Sequence, residues 1–184
     1  GIITTPHGEV PTPCFMPIAT VGVVRHVTAT ELRALGATMI LANTYHLMVR
    51  PGTDHVAARG GLHRFMGWDG PILTDSGGFQ IFSLGPRAAR RGGHGFVERT
   101  SDGVRFRSHL DGSVHLLTPE LAIDVQRALG SDIAMVLDMC PPQPCAREVL
   151  RDAVVTTTAW AERAIEYHHS PIRTNRRMGE GGRE

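Results

Sequence analysis

Three near-continuous apolar runs constrain this chain more than anything else in it: TMILANTYHL (38–47), PILTD (71–75) and SDIAMVLDM (131–139). A strand with one wet face alternates apolar and polar residues. A strand covered on both faces does not, and it reads as a run like these. Each run therefore predicts a strand in a parallel sheet with helices packed on both sides.

The stretches between the runs supply those helices. Thr28 and Glu31 have the spacing of a capping box, opening a helix that carries Leu32 and Leu35 and stops near Gly36. RPGTDHVAARGGLHRFMGWDG, from 50 to 70, reads as part helix and part glycine-rich loop. Thr118 and Pro119 cap and start the helix PELAIDVQRALG, which Gly130 closes. The last periodic segment, AREVLRDAVVTTTAWAERAIEYHH, spaces Val149, Leu150, Ala153, Val154, Thr157, Ala161, Ala164 and Ile165 as one helical face. Strand and helix thus alternate about four times, the signature of an α/β fold.

Two segments stand outside the alternation. Prolines 6, 11, 13 and 17 and Gly8 cut the first 22 residues into short extended pieces, predicting antiparallel lead-in strands. In GVRFRSHLDGSVHLLTPE, Val104, Phe106 and Ser108 alternate with Arg105, Arg107 and His109, and Asp111-Gly112 predicts a two-residue hairpin turn. A complete (β/α)8 barrel takes roughly 250 residues, and about half its strands are legible here. The expected fold is an incomplete (β/α)8 TIM-type barrel with antiparallel lead-in strands and an inserted hairpin, over residues 1–169. The tail 170–184, SPIRTNRRMGEGGRE, has no apolar period and is expected to be disordered or foreign to the fold.

Composition narrows the setting. No apolar stretch approaches the roughly 18 residues of a membrane span, and no basic-then-apolar leader is present. Three cysteines, 14, 140 and 145, are odd in number and lack C-x-x-C spacing, so reduced thiols and a cytoplasmic setting are expected. Ten histidines include no H-E-x-x-H pair, and no metal site is expected. The net charge is +1, yet all 19 basic side chains are arginine. A GC-rich coding bias explains that; arginine also suits phosphate, and Arg105 with Arg107 on one strand face could approach an RNA backbone.

The polar residues at the strand ends are Asn43, Asp75 and Asp138. Carboxyl ends of parallel strands are where such folds place chemistry. Two acids there suit a division of labour, one moving protons and one fixing a substrate. They equally suit capping: Asp75 of the Ser-Gly-Gly turn, Asp138 of the loop to Pro141. Asn43 and His46 are open in the same way.

LANTYHL, RPG, GGLHRFMGWDGPILTDSGGFQIFSL, FRSHLDGSVHLLTPE and GSDIAMVLDMC, in this order, resemble bacterial tRNA-guanine transglycosylase, also called queuine tRNA-ribosyltransferase. The likeness runs from about Ile2 to His168. It implies an irregular (β/α)8 barrel and a pentosyltransferase that exchanges guanine at the tRNA wobble position for a deazaguanine precursor of queuosine. One carboxylate attacks the ribose and a second manages protons, as in a retaining glycosyl transfer, after the base has left the anticodon-loop stack.

The resemblance implies that Asp75 is the proton acceptor and contacts the base. Ser76, Gly77 and Gly78 match the segment against which the flat ring lies, and Phe79 the aromatic able to stack on it. Asp138 matches the acid that accepts hydrogen bonds from the donor-rich edge of guanine. Asn43 and Gln80 match amides that orient Asp75. Cys140 favours the aminomethyl deazaguanine preQ1 over queuine, while Met139 stands where an acid is common. The nucleophilic aspartate, a GIVQGG-type strand and a Cys/His zinc site lie downstream of the matched part in the family, so zinc ligands are not expected in this chain. The family also implies a homodimer. Two expectations follow: an amino-terminal part of a transglycosylase, and a chain that by itself is a catalytically inactive base- or tRNA-binding fragment. An unrelated aldolase- or hydrolase-like barrel using Asp75 and His46 is the third reading.

Overall fold

The computed structural model describes residues 1–83 and 96–170, so all of the predicted tail but Ser170 lies outside the described residues. Prolines and Gly8 leave the first segment as a hairpin of β1 (Ile2–Thr5) and β2 (Gly8–Pro11), paired antiparallel from Ile2↔Pro11 to Thr5↔Gly8. β3 (Ile18–Ala19) then enters the main sheet, and α1 (Ala29–Ala34) follows. Both halves of its capping box form: Glu31 N–H donates to Thr28 Oγ1 at 3.2 Å, and Thr28 N–H to Glu31 Oε2 at 2.7 Å. Only Leu32 of that helix is buried; Leu35 is the C-cap and lies 78% exposed.

The run predicted as one strand over 38–47 divides. β4 is Ile40–Ala42, and Asn43 caps α2 (Thr44–Val49). The physical reason is a long-range partner: the Thr44 N–H turns off the sheet to donate to the Asp75 carboxylate at 2.8 Å, and the helix buries Thr44, Tyr45 and Leu47. Helices α3 (Thr53–Ala57) and α4 (Gly61–Met66) carry the chain to β5 (Ile72–Thr74), and α5 (78–83) starts directly after it.

β6 (Val97–Arg99), β7 (Val104–Arg107) and β8 (Val114–Leu117) form a three-stranded antiparallel sheet, one strand more than the predicted hairpin. The turn is also longer than two residues. Arg107 pairs with Val114, Ser108 N–H reaches Ser113 O at 2.8 Å, and Gly112 takes the left-handed φ of +76° that ends the loop. α6 (Pro119–Leu129) begins on the Thr118 cap and ends on Gly130, β9 (Ile133–Ala134) returns to the main sheet, and α7 (Arg147–His169) closes the described chain.

The main sheet runs β3-β4-β5-β9, every neighbour parallel. The protein is a mixed α/β fold: a parallel sheet with helices, plus two antiparallel units. Ala19, Ile40, Ala42 and Ile72 of the sheet pack with Leu47, Leu62, Val125 and Leu129 of the helices. A second cluster joins Tyr45, Ile81, Val104, Phe106, Leu117, Leu137 and Trp160. Each large side chain so buried is worth about 1.5–3 kcal/mol. α7 meets this core through Trp160 and also buries Ala153 and Ala164, whereas Val149, Leu150, Val154 and Ile165 stay exposed. The face predicted from aliphatic spacing is thus rotated toward the indole, the largest apolar surface on the helix.

The third run was predicted as a strand over 131–139 but pairs only at Ile133 and Ala134. Its partner β5 ends at Thr74. Met135 N–H still reaches Thr74 O at 3.2 Å, and there the fully buried Gln126 amide of α6 joins in: Oε1 accepts from Thr74 Oγ1 at 2.8 Å and Met135 N–H at 2.9 Å, and Nε2 donates to Met135 O at 2.9 Å.

Candidate functional site

Asp75 directly follows β5, and its N–H makes the last rung to Ala42 O at 3.2 Å. Its carboxylate then meets four donors. Oδ2 accepts from Asn43 Nδ2 at 2.5 Å and Gln80 Nε2 at 3.2 Å; Oδ1 accepts from Thr44 N–H at 2.8 Å and Gly77 N–H at 3.1 Å. Thr44 Oγ1 also donates to the Asp75 carbonyl at 2.5 Å. The group is thus locked in orientation from α2, from the turn after β5 and from α5, while remaining only part-buried.

The two glycines have separate reasons. Gly77 adopts φ +80°, and a Cβ there would sit 3.2 Å from Tyr45 N. Gly78 has ordinary backbone, but its Cβ would lie 2.8 Å from the Asp138 carbonyl oxygen and 3.1 Å from Oδ1. The bare backbone therefore lets the turn after β5 lie against the loop after β9. Ser76, 5% exposed, fastens that approach: Oγ donates to Asp138 Oδ1 at 3.0 Å and accepts from Gly78 N–H at 3.2 Å.

On the other carboxylate oxygen, Cys140 Sγ donates to Asp138 Oδ2 at 2.9 Å. Burial, then the hydrogen bond and charge of Asp138, push the Cys140 thiol up to about 12. Met139 N–H donates to Thr157 Oγ1 at 3.0 Å, so α7 holds this loop from behind. Phe79, in the first turn of α5, is 63% exposed. Asp75, Ser76, Gly77, Gly78, Asp138, Cys140, Asn43 and Gln80 are thus brought into one network at the carboxyl ends of β5 and β9.

His46 takes no part in it by hydrogen bonding. Its ring meets Tyr45 edge-on at 5.3 Å and His109 at 6.0 Å, and burial with the nearby His109 lowers its pKa. Tyr45 Oη and His109 Nδ1 are 2.7 Å apart, joining α2 to the hairpin loop. Arg105 is ion-paired with Glu98 at 3.3 Å, and Arg107 donates to Gly112 O at 3.0 Å. The two arginines are therefore engaged within their own sheet and loop.

Thr44, Thr157 and Gln126 position the site and were not anticipated. Thr44 adjoins Asn43, the one local signal; Thr157 and Gln126 lie within helices whose sequence says nothing of a strand end. The zinc implied by the resemblance needs a Cys/His set. Among the described residues Cys14, Cys140 and Cys145 are free thiols and none belongs to a cluster of ligand groups, so these residues do not fit that set. No described helix is long and apolar enough to cross a membrane.

A family model described as queuine tRNA-ribosyltransferase matches residues 1–179. Among curated relatives of that name, the protein of Desulforamulus reducens is 52% identical over 168 residues, 91% of this chain and 43% of the relative. That of Desulforudis audaxviator is 57% identical over 165 residues, covering 89% and 42%. That of Listeria monocytogenes is 48% identical over 171 residues, covering 93% and 43%. The chain therefore spans less than half the length of the curated relatives it matches.

Proposed function

The chain belongs to the queuine tRNA-ribosyltransferase family, and from that premise we propose that Asp75 and Asp138 form the base-handling part of a tRNA-guanine transglycosylase site. The observation that carries the reading is the Ser76 bridge, which fixes one acid's turn against the other acid's carboxylate. Two carboxylates held at adjacent strand ends can do different work on one flat ring.

Asp138 offers acceptors to the amino and ring N–H edge of guanine or preQ1, a contact in which every ring group donates. Asp75, oriented by Asn43, Gln80, Thr44 and Gly77, faces the base as the proton acceptor. The Ser76–Gly78 segment, which its glycines bring close to α2 and to Asp138, is read as the backbone beside the ring, and the exposed Phe79 supplies a stacking face. Cys140 occupies the second oxygen of Asp138 and so turns the first toward the turn after β5. The substrate is the wobble guanine of a tRNA, flipped from its loop. No residue of this chain is assigned to attack on the ribose. The parallel sheet is read as part of a (β/α)8 barrel, the arrangement that gathers strand-end residues on one face.

The test is equilibrium binding of guanine and of preQ1 to the purified chain. Asp138→Asn removes a charged acceptor, worth about 1.5–3 kcal/mol or roughly ten- to a hundredfold in affinity. In a complete homologue, Asp75→Asn should abolish base exchange in tRNA while largely sparing tRNA association, which comes mainly from phosphate contacts. Base affinity unchanged in both variants would reject the assignment.

A further inference from the structure

The opposite, amino-terminal ends of the same strands carry a second cluster. His7 comes from the turn between β1 and β2, His63 from α4, and Asp132 from the residue before β9. Asp132 is the fixed member: its side chain is 1% exposed, its N–H donates to Ile72 O at 2.9 Å, and its Oδ2 accepts from Ile72 N–H at 2.8 Å. Oδ1 lies 2.7 Å from His7 Nδ1. The two imidazoles stack with centroids 3.6 Å apart and planes 16° off parallel.

One atom in this cluster is left over. His63 Nε2 is buried and lies 3.3 Å from Asp132 Oδ2 without forming a hydrogen bond of ordinary geometry. Buried polar atoms are rarely left so, and each calls for an explanation such as an ion. Two imidazole nitrogens and a carboxylate oxygen, all within 4.8 Å of one another, are a donor set of the zinc class. The Ile72 N–H on Asp132 Oδ2 orients the carboxylate as outer partners of ligating acids do.

We propose that His7 Nδ1, His63 Nε2 and Asp132 Oδ1 bind a divalent transition-metal ion that fastens the lead-in hairpin and α4 to the amino edge of the sheet. Neighbouring donors around a tetrahedral ion with bonds of about 2.0–2.2 Å stand roughly 3.3 Å apart. His7 must therefore withdraw slightly from Asp132 and the ring stack must open. His7 can give: its side chain is 41% exposed and sits on a hairpin turn. Water completes the coordination. The site is separate from the acids at the other ends of the strands, so it acts on folding and not on the base.

The metal-stripped chain is titrated with Co2+ and followed by its visible absorption, then challenged with Zn2+. One equivalent of four-coordinate Co2+, displaced by Zn2+, is expected. His7→Ala and His63→Gln should each weaken binding about tenfold or more, whereas His168→Ala with His169→Ala, an exposed pair elsewhere, should not. Should a variant fail to fold, the X-ray absorption of the Zn2+ form of the unaltered chain decides. Two imidazole nitrogens and a carboxylate oxygen support the site; sulfur in the shell overturns it. Absence of stoichiometric binding, or binding indifferent to His7→Ala, overturns it as well.

Discussion

The Ser76 hydroxyl donates to Asp138 Oδ1 at 3.0 Å and accepts from the Gly78 N–H at 3.2 Å, so a single side chain joins the segment after β5 to the segment after β9. Ser76→Ala removes both bonds and leaves Asp138 held on one side only, by Cys140. Guanine binding should weaken by about ten- to a hundredfold, the worth of a hydrogen bond to a charged group. Isothermal titration reads this directly. Affinity equal to that of the unaltered chain would show that the bridge does not organise the site.

Gly78→Ala tests the same contact from the opposite direction. Its new Cβ would stand 2.8 Å from a carbonyl oxygen of the chain that carries Asp138. Backbone cannot rotate away, so the two segments must separate. Overpacking of this kind costs about 1–3 kcal/mol, seen as a lowered urea midpoint together with weaker base binding. Because the φ of Gly78 is ordinary, a cost there would come from the neighbour and not from backbone strain.

Cys140 should be a poor nucleophile. With its thiol pushed from 9.0 to about 12 by burial and by Asp138, the thiolate at pH 8 is about a thousand times scarcer than in a free cysteine. Iodoacetamide labelling followed by peptide mass spectrometry should find Cys140 nearly unmodified. Asp138→Asn removes the negative charge and the charged acceptor, and labelling should accelerate about tenfold or more. Rapid labelling of the unaltered chain would contradict the buried, hydrogen-bonded thiol.

Between α6 and α7, Arg163 grips Glu120 through two bonds, Nε to Oε1 at 2.8 Å and Nη2 to Oε2 at 2.9 Å. Burial works to raise the Glu120 pKa, but the hydrogen bonds and charge of Arg163, with those from its own N–H and Thr118, hold it below the ordinary 4.5. A folded-state value below the unfolded one contributes stability that is present above pH 4.5 and lost as the pH falls through the folded value. Glu120→Gln should therefore lower stability at pH 7 by roughly 0.5–1 kcal/mol, given a pair about one-third exposed and screened by solvent. The difference should vanish at low pH. A gap that stays constant from pH 7 to pH 3 would assign the contact's value to packing instead of charge.

What the sequence made legible was local. Thr28 with Glu31, and Thr118 with Pro119 and Gly130, are read within four or thirteen residues, and these helices begin and end where such signals place them. Asp75 as a strand-ending acid was legible too, because an apolar run that stops on a carboxylate is a one-dimensional pattern, whereas Asp138 lies four residues past the end of β9. α2 was not. Thr44 to Leu47 continues an apolar strand in composition, and what turns it into a helix is Asp75, thirty-one residues later. The inward face of α7 was missed for a related reason: Trp160 faces a hairpin whose position no periodicity encodes. His7, His63 and Asp132 are scattered over 125 residues and meet only at the sheet's edge.

Gln126 has a consequence for how this site can change. Past the Thr74–Ala134 pair, Met135 N–H is shared between the last backbone rung, to Thr74 O at 3.2 Å, and a primary amide that stands in the seam. The distance between the two strand tips, and so between the acids that follow them, is held there by that rung, by the Ser76 bridge beyond it and by the reach of one side chain. Backbone spacing in a sheet is the same for every sequence; the reach of a side chain is inherited through a single codon. A shorter or longer group at 126 would strip Met135 of its side-chain partner and shift the one backbone rung beside it. The molecule thus keeps part of the gauge between its two acids in α6, a helix that carries neither of them.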